Sequence, residues 1–89
     1  MNNRLYDVRI NKSPASDLKK LDPHVQSMLR EAIVSLASNP RPHGCRALQG
    51  AHKGTFRIRC GNYRVLYTVN DERGEVLVIH LGDRKDVYE

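Results

Sequence analysis

The sequence has no tryptophan, one phenylalanine and two cysteines, and each scarcity excludes something. Cys45 and Cys60 form no CxxC, so neither a disulfide framework nor a zinc ribbon is available. Both are expected as reduced, structural residues. His24, His43, His52 and His80 are scattered without HxxxH spacing, and no metal site and no cofactor is expected. No apolar run approaches the ~20 residues needed to cross a membrane. The opening MNNRLYDVRI has no apolar signal-peptide segment. A cytoplasmic protein without a membrane partner is expected.

What the chain has is positive charge. Fifteen Lys and Arg against ten Asp and Glu leave a net +5 with a pI near 9.6, which favours an acidic partner such as nucleic acid or an acidic protein segment. Eighty-nine residues make one domain, 1–89, with room for a single core.

The most informative stretch is GTFRIRCGNYRVLYTV, Gly54 to Val69. It reads as two strands around a two-residue turn at Gly61-Asn62. That turn sets Cys60 opposite Tyr63, Arg59 opposite Arg64, Ile58 opposite Val65, Arg57 opposite Leu66 and Phe56 opposite Tyr67. Because side chains alternate along a strand, Phe56, Ile58, Cys60, Tyr63, Val65 and Tyr67 share an apolar face. Arg57, Arg59, Arg64 and Leu66 share the other. Directly opposed like charges destabilise a sheet. An anion site is one reading of that face; a solvated surface of arginines lying over their own stems is the other.

Before the hairpin, Leu5 to Ile10 alternates as a first strand. Ser13 reads as the N-cap of a helix from Pro14 to about Leu21. Asp22-Pro23 starts a second helix to about Ser38, with Val25, Met28, Leu29, Ala32, Ile33, Leu36 and Ala37 at helical spacing. The two helices pair as a hairpin. Asn39 to His43 cannot continue the helix, and Gly44 to Lys53 reads as irregular, anchored by Leu48. Arg46, His52 and Lys53 add charge beside the strands. Glu75 to Leu81, EVLVIHL, reads as an inner strand covered on both faces, with His80 continuing the Val76, Val78 face. If that strand runs antiparallel to Tyr63–Val69, Arg84 emerges near Arg59 and Arg64, with Lys85 and Tyr88 following. The fold class is α+β in the order β-α-α-β-β-β: an antiparallel sheet with the N-terminal helical hairpin packed on one face.

The element order, Leu48-Gln49-Gly50, the FRIRCGNYRVLYTV hairpin and the ending IHLGDRKDVYE together resemble the RelE/ParE superfamily of bacterial toxins, specifically the RelE-like mRNA interferases. That resemblance implies a toxin of a type II toxin–antitoxin pair. Its partners would be a RelB-like antitoxin encoded nearby and the ribosome with mRNA in the A site. The implied reaction is metal-free: a ribose 2′-hydroxyl attacks the adjacent phosphate, leaving a 2′,3′-cyclic phosphate and a 5′-hydroxyl. Carried onto this chain, the implied catalytic positions are Arg59, Arg64, Arg84 and Tyr88, and the RNA or phosphate contacts are Lys53, Arg57 and Lys85. RelE-like proteins often have lysine where this chain has Arg57 and Arg59. Arginine stays protonated, so the general base stays open between Tyr88, an RNA or ribosomal group, and orientation without a base. A ParE-like gyrase poison and an inactive nucleic-acid or antitoxin-binding module share the fold and are the alternatives.

Overall fold

The computed structural model describes residues 5–50 and 53–83. Its elements are β1 (Asp7–Ile10), α1 (Lys12–Lys19), α2 (Pro23–Ser35), β2 (Arg46–Ala47), β3 (Thr55–Cys60), β4 (Tyr63–Asn70) and β5 (Glu75–Asp83).

The hairpin forms in the expected register, with all five pairs from Cys60–Tyr63 to Phe56–Tyr67. At the turn only Gly61 takes a positive φ, +61°, as a turn with glycine at its first central position requires. β5 then adds antiparallel to β4, completing the expected meander.

The sheet as a whole is mixed rather than antiparallel. Its order is β1-β5-β4-β3-β2, and β1 runs parallel to β5, pairing Asp7 with Glu75 through Ile10 with Val78. β2 is also new. It falls within the stretch expected to be irregular and pairs Arg46 with Arg57 and Ala47 with Phe56 along the outer edge of β3. The Leu48 amide extends this pairing by donating to the Thr55 carbonyl at 2.9 Å.

The helix starts follow from where backbone donors are needed. α1 begins two residues earlier than the Ser13 cap implied. Asn11 is its N-cap, and no side chain bonds the exposed amides there. The reason is the strand before it: the Asn11 amide still donates to Val78 of β5 at 3.0 Å, so the helix is launched directly from the strand. Pro14 therefore sits in the first turn, where an amide has no helical acceptor to lose. α2 starts as expected, with Pro23 first and the Asp22 carboxylate accepting from the His24 amide at 2.8 Å. It ends at Ser35, tightening through the Leu36 and Ala37 amides onto Ile33 and Val34. Gln26 links the helices: its side-chain amide donates to Leu21 at 2.8 Å and Lys19 at 3.2 Å.

α1 lies along β5 and α2 along β3. Leu18 of α1, Leu29 and Ile33 of α2, and Leu36 meet Ile58, Val65, Tyr67, Val76, Val78 and Leu81 in one core. Burying each such side chain contributes about 1.5–3 kcal/mol. Tyr67 keeps its polar tip satisfied, its hydroxyl donating to Pro40 at 2.7 Å while its ring stacks on Phe56 at 5.9 Å. Burial pushes the Tyr67 phenol well above its usual range, with nearby Cys45 adding to the shift.

β5 departs from simple alternation. Leu66 pairs with His80 but Tyr67 pairs with Val78, so Ile79 is an extra residue in β5. The bulge changes phase. Val76, Val78 and Leu81 are buried against the helices, while His80 comes to lie on the Leu66 face. The expectation that His80 continues the Val76, Val78 face is thereby corrected. The run is also covered fully on one face only, since Leu77, Ile79 and His80 are half-buried.

Among the described residues, no helix is long and apolar enough to cross a membrane.

Candidate nucleic-acid interface

The candidate site is the sheet face turned away from the helices. Register alone builds it in two rows. One row crosses four strands as Arg46, Arg57, Leu66 and His80. The next crosses three strands as Arg59, Arg64 and Gly82. The three arginines grouped from the hairpin pattern thus share one face, and β2 brings a fourth, Arg46, directly beside Arg57.

These four side chains are not equivalent. Arg46 and Arg59 are exposed, and among the described residues no ion pair occupies either guanidinium. Arg57 is only 4% exposed, and its Nε is out of reach of solvent. Leu66 beside it is 5% exposed although it belongs to the face opposite the core. This face is therefore closed over its middle and open along the Arg46 and Arg59 edge. Arg64 is half-buried, its Nε is likewise shielded, and both Arg57 and Arg64 are held by interactions with their neighbours. A guanidinium held in place loses little freedom on gripping an anion.

Lys53 is exposed just before β3, its amide donating to Gly50 at 3.1 Å. Asp83 pairs with Tyr63, next to the Gly61-Asn62 turn, so the chain leaves β5 beside the Arg59–Arg64 row. The expected Arg84, Lys85 and Tyr88, and the loop residue His52, lie outside the described residues. Sequence reasoning placed Arg46 only as charge beside the strands and missed its pairing with Arg57, because a two-residue strand carries no periodicity. It also set His80 on the wrong face, because an unbroken apolar run hides a bulge.

Chemically, the face suits a phosphodiester. Planar guanidiniums grip phosphate through two parallel hydrogen bonds, and Arg59 and Arg64 set two of them side by side across β3 and β4. The same groups stabilise charge that grows on phosphoryl oxygens during reaction. Among the described residues, no three His, Cys, Asp or Glu side chains come together as a metal-binding group.

A family model described as the ParE toxin of type II toxin–antitoxin systems, parDE, matches residues 8–88. The chain belongs to this toxin family.

Its relatives carry RelE-type names. Toxin RelG of Mycobacterium tuberculosis is 34% identical over 84 residues, covering 93% of this chain and 95% of the relative. The mRNA interferase toxin RelE of Escherichia coli K12 is 28% identical over 87 residues, covering 93% and 90%. In structure, the toxin–antitoxin complex RelBE2 of Mycobacterium tuberculosis matches with a TM-score of 0.84 at 30% identity, covering 96% of this chain and 98% of the matched one. The α+β architecture described above is the RelE fold, and the chain is a RelE-family toxin of a type II toxin–antitoxin system.

Proposed function

We propose that this toxin is a ribosome-dependent endoribonuclease that cuts mRNA in the A site and so stops translation in the cytoplasm. A RelB-like antitoxin encoded nearby would hold it in check. The observation that carries this reading is the Arg59–Arg64 pair, set in direct register at the open end of the arginine face. A similar toxin is named an mRNA interferase, and a similar solved structure is a complex with an antitoxin.

In the reaction, the 2′-oxygen bonds to the adjacent phosphorus while the bond from phosphorus to the 5′-oxygen breaks. The 2′-hydroxyl gives up its proton, the departing 5′-oxygen gains one, and a 2′,3′-cyclic phosphate remains. Arg64 is assigned to the phosphoryl oxygens, where charge accumulates most in the transition state. Arg59 steadies the same phosphate from the facing strand. Arg84 would hold the phosphate as the leaving oxygen departs. Tyr88 would stack on the base and align the attacking hydroxyl. Lys53 and Lys85 are assigned to flanking phosphates, whereas Arg57, expected as a phosphate contact, is too buried for one and supports the face from within.

Primer extension on cellular mRNA after induction of the toxin tests the reading. Cuts in phase with codons are expected. Double-strand DNA breaks without mRNA cuts would instead indicate a gyrase poison, and neither lesion would leave a binding module. Co-expression of the adjacent open reading frame should restore growth.

A further inference from the structure

The arginine face has anion-binding groups in abundance and, by sequence, no acid–base residue. Guanidiniums do not give up a proton in proteins, and the remaining described members of the two rows are Leu66 and Gly82. The bulge at Ile79 changes that inventory by turning His80 onto this face. Imidazole is the side chain that both accepts and donates a proton near neutral pH.

The placement is specific. His80 stands opposite Leu66, and Leu66 is two residues along β4 from Arg64, so His80 and Arg64 are diagonal neighbours. Diagonal residues on one sheet face have α-carbons about 7–8 Å apart, within the span of long side chains. The residue directly opposite Arg64 is Gly82, which has no side chain. Among the described residues, His80 is therefore the side chain that this face of β5 offers beside Arg64. β1 ends at the Ile10–Val78 pair, and among the described residues no strand pairs with the β5 edge beside His80. On the helix side of that edge, a cavity of about 420 Å³ lined by the core-face residues Tyr63 and Leu81 with Asp17, Lys20 and Leu21 also reaches His80. Among the described residues, the charged groups facing His80 are Arg64 on the face, with Arg57 one strand further, and Asp17, Lys20 and Asp83 at the edge.

We propose that His80 is the acid–base residue of the cleavage, accepting the proton of the 2′-hydroxyl as its oxygen bonds to phosphorus. The departing 5′-oxygen takes its proton from water, so the proton count balances. His80 then returns its proton to solvent before the next turnover. This rests on the ribonuclease reading above and supplies the base that arginine at position 59 cannot.

The experiment is single-turnover cleavage of mRNA on programmed ribosomes across pH, with the parent toxin, His80→Gln, His80→Asn and His80→Ala. The parent rate is expected to fall on the acid side, as imidazole becomes protonated. Both amide variants should be slower by about 10²-fold or more, the usual contribution of a positioned base. They should lose that acid limb while binding ribosomes as the parent does. Added imidazole should partly restore His80→Ala, which a purely structural histidine would not allow. A variant that cuts at the parent rate overturns the proposal, as does a slow variant that keeps the acid limb. If the variants fail to fold, a parent profile with no acid limb overturns it equally. A parent that never cuts ribosome-bound mRNA, whatever the pH, removes the ribonuclease reading itself, and the role of His80 falls with it.

Discussion

Arg41 and Asp71 meet in a two-point ion pair, Nη1 to Oδ1 at 3.2 Å and Nη2 to Oδ2 at 2.9 Å. The Tyr6 hydroxyl donates to the same carboxylate at 2.7 Å, and the Arg41 guanidinium lies 5.2 Å over the Phe56 ring. One acidic side chain in the β4–β5 turn thus joins the segment before β1 to the linker after α2. The hydrogen bond from Arg41, then that from Tyr6, hold the Asp71 carboxyl below its usual value.

A depressed carboxyl stabilises the fold above its unfolded pKa, and that contribution is lost as pH falls through the folded one. Asp71→Asn should therefore lower Tm at neutral pH. The gap between parent and variant should narrow as pH drops through and below the ordinary aspartate range near ~4. Thermal melts at several pH values and low salt measure this. A gap that does not change with pH would mean the charge of Asp71 contributes nothing.

Arg64→Ala should slow cleavage by about 10²-fold or more, the scale for removing one transition-state charge donor. Cleavage on programmed ribosomes, with circular dichroism as the folding control, reads this directly. An Arg64→Ala protein that is folded and cuts at the parent rate would make the arginine face an ordinary solvated surface.

Arg46 and Arg57 are partners across β2 and β3 yet should behave differently. Arg57 is buried and held by its neighbours, so Arg57→Ala should cost about 1–3 kcal/mol of stability. Arg46 is exposed. Its replacement by Ala should leave stability within about 0.5 kcal/mol and reduce the salt slope of RNA or ribosome binding by about one. Denaturant melts and binding titrations at several salt concentrations separate the two.

At the hairpin turn, a Cβ on residue 61 would lie 3.2 Å from Met28 Cε as well as forcing a side chain onto a φ of +61°. The left-handed conformation alone costs about 1–2 kcal/mol. Gly61→Ala should lower Tm accordingly, by about 4–8 °C per kcal/mol in a domain this size. An unchanged Tm would show that the turn relaxes freely.

How far the sequence carried depends on how local each feature is. The β3–β4 register was legible because Gly61-Asn62 sets it and because Phe56, Ile58, Val65 and Tyr67 alternate with arginines. Asp22-Pro23 announced α2 by cap chemistry alone. The partner of β1 was not legible, since its pairing with β5 joins distant parts of the chain and leaves no periodic trace. The bulge at Ile79 was hidden because Val76 to Leu81 is apolar apart from His80, so a change of phase alters no pattern. Nor does alternation tell whether a sheet's far face is covered, which is why burial of Arg57 and Leu66 appears only in three dimensions. The family read from the two signature stretches agrees with the family model and the toxins that match this chain. The roles of Arg84, Lys85 and Tyr88 rest on that resemblance alone.

The position of β5 has a consequence for the order of manufacture. β5 lies between β1 and β4, so the first strand synthesised has no neighbour in the sheet until the last one emerges. Local pairs such as β3 with β4 can close early, whereas the long-range closure with β1 must wait. The complete five-stranded sheet therefore cannot form before β5 has been synthesised.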